Sequence, residues 1–246
     1  SNPVTYIKAY DEIRALFANL KISKLRNYQP KHFSFNVDGG RCDSCKGEGT
    51  ITIEMQFMAD VILECEQCKG KRFKKEIQEV KFNEVSIDQL LEMTVDDAIS
   101  FFKTHEAKRI VQKLQPLQDV VLGYVTLGQS SATLSGGEAQ RIKLASFISQ
   151  GTSKEKVIFI FDEPTTGLHF HDIQKLLTSF NALLLKGHSI VVVEHNLDLI
   201  KCADHLIDLG PEAGDEGGYL VGQGTPEEIV KIKKSHTGKY LAQKLK

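Results

Sequence analysis

The fold of this chain is decided by the run Val157-Ile158-Phe159-Ile160-Phe161-Asp162-Glu163, in which apolar residues lead directly into two carboxylates. A second apolar run, Ser189-Ile190-Val191-Val192-Val193, ends in the same manner at Glu194-His195. Continuous apolar runs that alternate with helical segments are typical of buried parallel strands in an α/β structure. Open α/β sheets bind their ligands at the carboxyl ends of their strands. The sequence therefore predicts an α/β fold with a polar site where these two strands end.

The residues at the strand ends are suited to phosphate chemistry. The carboxylates of Asp162 and Glu163 have the character needed to hold Mg²⁺ through its water shell and to polarise an attacking water. A single histidine at a strand end, as His195 is, more often has a structural role when it is considered alone. Its interpretation therefore depends on the other motifs.

A third motif precedes these strands, at Leu134-Ser135-Gly136-Gly137-Glu138-Ala139-Gln140-Arg141. Ser135 and Glu138 are spaced as a capping box, which predicts that a helix begins here. Two glycines beside a helix N-terminus expose backbone N–H donors at the positive end of the helix dipole, and such a turn favours an anion. An ordinary helix start would explain Ser135 and Glu138 but not both glycines.

Taken together, these motifs resemble the ABC ATPase superfamily. Leu134 to Glu138 resembles its signature motif, Phe159 to Glu163 its Walker B strand, Gly167-Leu168-His169 its D-loop region and His195 its switch histidine. The resemblance implies that Asp162 acts on the Mg²⁺ shell, that Glu163 is the general base or water-orienting group, and that His195 senses the γ-phosphate of ATP. It also implies that a nucleotide held by a different ATPase half contacts the signature residues Ser135, Gly136, Gly137 and Glu138.

Cysteine spacing predicts a metal site. Two Cys-x-x-Cys pairs, Cys42/Cys45 and Cys65/Cys68, are separated by nineteen residues, which suits a tetrahedral zinc site with four thiolate ligands. One Zn²⁺ in such a closed site is expected to be structural, because no position is left for a reactive water. The fifth cysteine, Cys202, is expected to be a buried, inert thiol.

Basic residues cluster beside the second cysteine pair. The segment from 69 to 75 carries five basic residues in seven, whereas the net charge of the whole chain is −1, so affinity for nucleic acid has to come from local surface of this kind. A basic projection pinned by zinc suits contact with DNA phosphates, although a merely solvated basic strand is an alternative. The predicted DNA-binding residues are Lys69, Lys71, Arg72, Lys74 and Lys75.

The cysteine module upstream of the signature motif narrows the resemblance to the C-terminal half of the UvrA family, the damage sensors of bacterial nucleotide-excision repair. That resemblance implies damaged double-stranded DNA, a second copy of the same protein in a homodimer, and a UvrB-type helicase-like subunit as partners. One departure is large, because the sequence has no Gly-x-x-x-x-Gly-Lys-Ser/Thr phosphate loop. We expect the loop of this ATPase half upstream of Ser1, and we expect this chain alone to be inactive.

The motifs predict two domains, a signature-region insertion over residues 1–126, with the zinc module at about 39–75, and an ABC ATPase core over residues 127–246. Within the insertion, alternating residues predict a strand in Thr50 to Met58, helices are expected to start at Ser86 and Thr94, and Pro116 is expected to stop a helix. A capping box with proline at the first helical position predicts a last helix after Thr225.

The sequence also limits the location and the class of the protein. It contains no apolar run of roughly 20 residues and no signal-peptide pattern, so we expect a cytoplasmic protein without a membrane partner. Alternatives to a repair ATPase are a zinc and DNA-binding module without hydrolysis and a UvrA-like paralogue with another client, such as drug resistance. A transporter-associated ABC subunit is a further alternative, and the basic zinc hairpin argues against it.

Overall fold

The computed structural model describes residues 2–55, 57–58, 60–149, 155–211 and 217–245. Contacts divide the chain into two compact units, Ser1–Gly151 and Thr152–Lys246. This division assigns the helix after Ser135 to the first unit, whereas the motif-based division after residue 126 groups it with the motifs that follow. The predicted domains, 1–126 and 127–246, were defined by the positions of the motifs, and they stay a prediction. No helix among the described residues is long and apolar enough to cross a membrane.

The first unit is mainly helical. Its helices, in chain order, are α1 (Pro3–Tyr6), α2 (Ala9–Ala18), α3 (Lys21–Leu25), α4 (Lys75–Gln78), α5 (Ile87–Glu92), α6 (Val95–Thr104), α7 (Lys108–Asp119) and α8 (Gly136–Ser149). Ser86 and Thr94 cap α5 and α6, as their sequence patterns predict. The predicted stop at Pro116 is wrong, because α7 continues to Asp119. Proline removes one backbone donor and crowds the carbonyl four residues earlier, so α7 includes this unfavourable position in its last turn.

Helix α7 is central to the packing of this unit. It packs against α2, α6 and α8, and its Leu114 is fully buried, as is Phe102 of α6. The aromatic rings of Phe17 and Phe33 lie 5.6 Å apart and continue this core beneath α2. Helix α8, which carries the signature residues at its start, is therefore fixed to the helical core along its length.

Two short antiparallel ribbons complete the first unit. The strands β1 (Thr50–Ile53) and β2 (Val61–Glu64) pair with Thr50 opposite Glu64, and all their residues are exposed. The predicted strand over Thr50 to Met58 therefore ends at Ile53, and its position 56 lies outside the described residues. The second ribbon pairs β3 (Lys81–Phe82) with β4 (Val85–Ser86) and leads into α5.

The second unit contains two sheets and their helices. Its strands are β5 (Ile158–Asp162), β6 (Ser189–Val193), β7 (Leu206–Gly210) and β8 (Tyr219–Gly224), and its helices are α9 (Phe170–Leu185), α10 (Leu197–Ile200), α11 (Pro226–Ile229) and α12 (His236–Leu241). The predicted parallel strands are confirmed, since β5 and β6 pair in parallel with Asp162 opposite Val193. β7 and β8 pair antiparallel, and the predicted capping box of Thr225 and Glu228 begins α11.

The prediction that β5 and β6 are buried is wrong for one face of their sheet. Helix α9 covers the other face, where Phe161 and Phe180 have ring centroids 4.9 Å apart. Side chains alternate between the faces of a strand, so the uncovered face carries the remaining apolar residues. These are Ile158, Ile160, Val191 and Val193, each more than half exposed. The apolar sequence is that of a sheet buried on both faces, but the described residues cover only one face.

Candidate functional site

The two cysteine pairs converge on one point at the base of the β1–β2 ribbon. All four sulfur atoms are buried and lie within 4.8 Å of one another. Two of the separations are 3.9 Å, between the Sγ atoms of Cys42 and Cys65, and 3.6 Å, between those of Cys45 and Cys68. Four sulfurs bound tetrahedrally to one Zn²⁺ lie about 3.8 Å apart. The four thiols therefore fit one closed zinc site, as their spacing predicts.

Backbone geometry around the thiols supports metal binding. The N–H of Gly49 donates to Cys45 Sγ at 3.2 Å, as expected where a thiolate needs stabilisation from a second shell. Gly47 follows the first pair with a φ of 92°, and a side chain there would meet the carbonyl oxygen of Phe35 at 2.0 Å. Gly70 follows the second pair with a φ of 75°. Both turns thus have the left-handed backbone that glycine permits, as predicted.

The thiols differ in acidity because their surroundings differ. The backbone N–H of Cys68 is the main cause that lowers the pKa of Cys65, to about 6, against the opposing effect of burial. Burial raises the pKa of Cys42, and it raises that of Cys68 to about 12. A bound dication favours the thiolate form of all its ligands. Metal binding should therefore release protons from the thiols that carry them beforehand, among them the two whose pKa is raised.

The five predicted DNA-binding residues have different surroundings. Lys74 Nζ lies 2.8 Å from Asp43 Oδ2, Lys71 Nζ lies 3.9 Å from the buried Asp88, and the Arg72 guanidinium lies over the Phe35 ring at 5.6 Å. The other two, Lys69 and Lys75, are exposed. Three of the five basic side chains therefore already contact other residues of this chain. Their role in DNA binding stays a prediction.

The signature turn has the predicted capping box. The Ser135 N–H donates to Glu138 Oε2 at 2.8 Å, and the Glu138 N–H donates to Ser135 Oγ at 3.3 Å. A side chain added at Gly136 would have nothing within 4 Å, so the space in front of this turn is open. The carboxylate also accepts a hydrogen bond from Tyr124. Burial alone would raise the pKa of Glu138, but these hydrogen bonds and nearby Arg141 outweigh it and lower the pKa.

In the second unit, the predicted catalytic residues meet at the ends of β5 and β6. Glu163 has a φ of 45°, which is left-handed and uncommon for this residue type, and its N–H donates to the Val193 carbonyl at 2.9 Å. His195 Nε2 lies 3.5 Å from Glu163 Oε1, and both side chains are mostly exposed. Asp162 is the exposed last residue of β5. The arrangement presents two carboxylates and one imidazole at a single sheet edge.

Glu194 has a role that the sequence pattern does not reveal. One of its carboxylate oxygens accepts from the Thr165 N–H at 3.0 Å and from the Thr165 hydroxyl. The other accepts from the N–H groups of His195 at 2.8 Å and Asn196 at 2.9 Å. Glu194 therefore joins the turn after β5 to the turn after β6. The only signal in the sequence was its place beside His195.

Known proteins resemble this chain along its whole length. It is 53% identical over 245 residues to UvrABC system protein A of Clostridium perfringens and 53% identical over 246 residues to that of Aquifex aeolicus. A crystal structure of UvrA2 from Deinococcus radiodurans superposes with a TM-score of 0.87 at 41% identity, and the match covers 99% of this chain and 29% of that one. No family model matches the chain.

These matches confirm the resemblance to UvrA that the motifs predict. They also confirm the fold class, an α/β ABC-type ATPase half with an inserted module whose four cysteines are compatible with one zinc ion. In both curated relatives, the match covers 100% of this chain but 26% of the relative. The chain therefore spans about a quarter of the length of the proteins that it resembles. The assignment of individual site residues stays a prediction.

Proposed function

We propose that this chain is the C-terminal part of a UvrA-type subunit that recognises DNA damage in nucleotide-excision repair, and that the intact protein is a cytoplasmic ABC-type ATPase. The observation that carries the proposal is the similarity to UvrABC system protein A along the entire chain, with 53% identity over 245 residues. The co-occurrence of a four-thiol module and the ATPase motifs in one chain supports it independently.

In the intact protein, the strand-end residues would act on ATP with Mg²⁺. Asp162 would accept hydrogen bonds from water in the Mg²⁺ shell, and Glu163 would orient or deprotonate the attacking water. His195, which is within 3.5 Å of Glu163, would contact the γ-phosphate. The turn at the signature motif, with Glu138 as its capping residue, would offer the Ser135 hydroxyl and the N–H groups of Gly136 and Gly137 to a nucleotide held by a different ATPase half.

This chain alone is proposed to be inactive as an ATPase. Its sequence has no phosphate loop, and a triphosphate needs the N–H cradle and lysine of that loop for tight binding. The uncovered face of the β5–β6 sheet supports the same conclusion, because Ile160 is 74% exposed on a strand whose sequence is suited to burial. Polypeptide from outside this chain would complete both the sheet and the nucleotide site.

Damaged double-stranded DNA is the proposed ligand of the intact protein. The zinc module would hold a small hairpin that is too short to fold by itself, and the basic segment at Lys69 to Lys75 would contact phosphates. Recognition of damage would depend on how easily the duplex deforms more than on its base edges. A second copy of the protein and a UvrB-type helicase-like subunit are the other proposed partners.

The decisive experiment compares the intact protein with its Glu163→Gln variant. We expect ATP turnover by the wild type, loss of turnover in the variant, and tighter binding of damaged than of intact duplex. Absence of turnover in the wild type as well would favour a zinc and DNA-binding module without hydrolysis, and unchanged turnover in Glu163→Gln would contradict the proposed role of Glu163. Turnover without preference for damaged duplex would favour a UvrA-like paralogue with another client.

A further inference from the structure

Tyr124 lies outside every motif of the sequence, yet it contacts the signature turn. Its hydroxyl donates to Glu138 Oε1 at 2.5 Å, while Glu138 Oε2 accepts the Ser135 N–H at 2.8 Å. The Arg141 side chain lies close enough to the same tyrosine to oppose the rise in its pKa. Both carboxylate oxygens of Glu138 are thus engaged, one by the turn and one by Tyr124. An ordinary capping box uses only the backbone contact and needs no such third partner.

The backbone on both sides of Tyr124 is fixed. The N–H of Val95 donates to the Val125 carbonyl at 2.9 Å, and the N–H of Asp96 donates to the Gly123 carbonyl at 2.9 Å. The approach is so close that a side chain at Gly123 would meet Asp96 Oδ1 at 2.3 Å. Tyr124 is therefore held at the start of α6 and does not sit on a free loop. Its hydroxyl can set the position of a group that it contacts.

Tyr124 contributes little to the hydrophobic core. Its side chain is 56% exposed, in contrast to Tyr10, which is 2% exposed. A tyrosine so exposed could be replaced by many polar residues without loss of packing. What distinguishes it is the contact of its hydroxyl with the carboxylate that orients the signature turn.

We propose that Tyr124 is a positioning residue for ATP hydrolysis, which acts through Glu138 to hold the N–H donors of the signature turn toward the nucleotide. This inference rests on the proposed function, because only a nucleotide contact gives the orientation of that turn a catalytic consequence. Without the hydroxyl of Tyr124, Glu138 can rotate away from the Ser135 N–H. The turn would then reach its active orientation in a smaller fraction of molecules.

The test measures steady-state ATP hydrolysis by the intact protein that contains this chain. We expect Tyr124→Phe to lower kcat about tenfold, equivalent to about 1.4 kcal/mol, and to change KM for ATP less than twofold. The KM for ATP should stay nearly constant because the phosphate loop of the other half supplies most of the affinity for ATP. Tyr6→Phe is the matched control, since Tyr6 is 49% exposed in the same unit and far from the signature in sequence.

A double variant separates positioning from a general structural effect. If Tyr124 acts through Glu138, adding Tyr124→Phe to Glu138→Ala should cause no further loss of kcat, and thermal unfolding of Tyr124→Phe should match the wild type. Losses that multiply, or a wild-type kcat in Tyr124→Phe beside an inactive Glu163→Gln, would overturn the role of Tyr124 alone. Turnover that survives Glu163→Gln would overturn the proposed function and this inference together.

Discussion

Glu163 and His195 approach each other across the ends of two adjacent parallel strands, with 3.5 Å between Oε1 and Nε2. They meet because Asp162 and Val193 are opposite each other in the β5–β6 register, so Glu163, one residue beyond β5, and His195, two residues beyond β6, emerge at the same end of the sheet. The Glu163 N–H also continues this pairing, since it donates a hydrogen bond to the Val193 carbonyl. The relative position of the two proposed catalytic groups is therefore determined by strand pairing.

The zinc site gives the first prediction. Purified protein should contain one zinc ion per chain, measured by elemental analysis, and Cys65→Ala should lose it together with the structure of the β1–β2 ribbon. Cys202→Ala is the control, because that thiol lies outside the cluster. Well-folded wild-type protein with much less than one zinc per chain would rule out the site.

The second prediction concerns the chain by itself. It should release phosphate from ATP at the background rate, because Asp162 and Glu163 face a nucleotide site that lacks its phosphate loop. The measurement is a phosphate-release assay with the intact protein as a positive control. Steady release by this chain that Glu163→Gln abolishes would show that a complete site is present after all.

The third prediction concerns salt dependence of DNA binding by the intact protein. Lys69→Ala and Lys75→Ala should each reduce the slope of log affinity against log salt by about 0.9, the effect of one lost phosphate contact. Lys71, Arg72 and Lys74 should show the same effect where DNA displaces their present contacts. Lys103→Ala, on α6, serves as the control, and unchanged slopes for Lys69 and Lys75 would mean that this surface is only solvated.

The fourth prediction concerns Glu194. Glu194→Gln replaces one of the two carboxylate oxygens by an NH₂ group. Some of the N–H groups of Thr165, His195 and Asn196 then lose their acceptor, so we expect the free energy of unfolding to fall by about 1–3 kcal/mol. In the intact protein, ATP turnover should fall as well, because two turns of the proposed site lose their common anchor. Asp204→Asn removes a surface charge from the same unit and is the control; equal stability of both variants would contradict the role.

The fifth prediction concerns coupling between nucleotide and DNA. In the intact protein, ATP should change discrimination between damaged and undamaged duplex, with an effect on the order of 1–3 kcal/mol. Gly136→Asp should abolish this dependence, because the position has space for a side chain and a carboxylate there would repel phosphate. Replacing the β1–β2 ribbon by a short linker should abolish it too, and persistence in both variants would mean that another route carries the signal.

Much of the zinc module and of the signature turn could be predicted because their determinants are local. The Cys-x-x-Cys pairs, the glycines after them and the capping box at Ser135 act within a few residues, and the structure has each of them. Strand location and parallel pairing followed from apolar runs separated by a helix. Spacing alone carried this information.

The predictions failed where a contact joins residues that are far apart in the sequence, or where the surroundings of a residue cannot be read from its neighbours in the chain. Glu194 contacts Thr165 from 29 positions away, and no local pattern marks such a pair. The sequence also predicted a buried thiol at Cys202, which is exposed. Helix α10 ends at Ile200, two residues earlier, and whereas Leu199 and Ile200 are buried, the Cys202 thiol donates to the Asp198 carbonyl at 3.4 Å in an exposed position. The prediction that β5 and β6 are buried failed for a different reason, since it requires a cover on both faces of the sheet and the described residues leave one face exposed.

The uncovered face of the β5–β6 sheet has a consequence for the behaviour of the protein in solution. Ile158 and Ile160 lie on one face of the sheet with Val191 and Val193, and an exposed apolar face of this kind favours association with other apolar surfaces. Molecules of this chain should therefore self-associate as their concentration rises, and mild detergent should disperse them. Under the proposed function, further polypeptide of the intact protein would cover this surface, and the tendency to aggregate would then be confined to this chain alone.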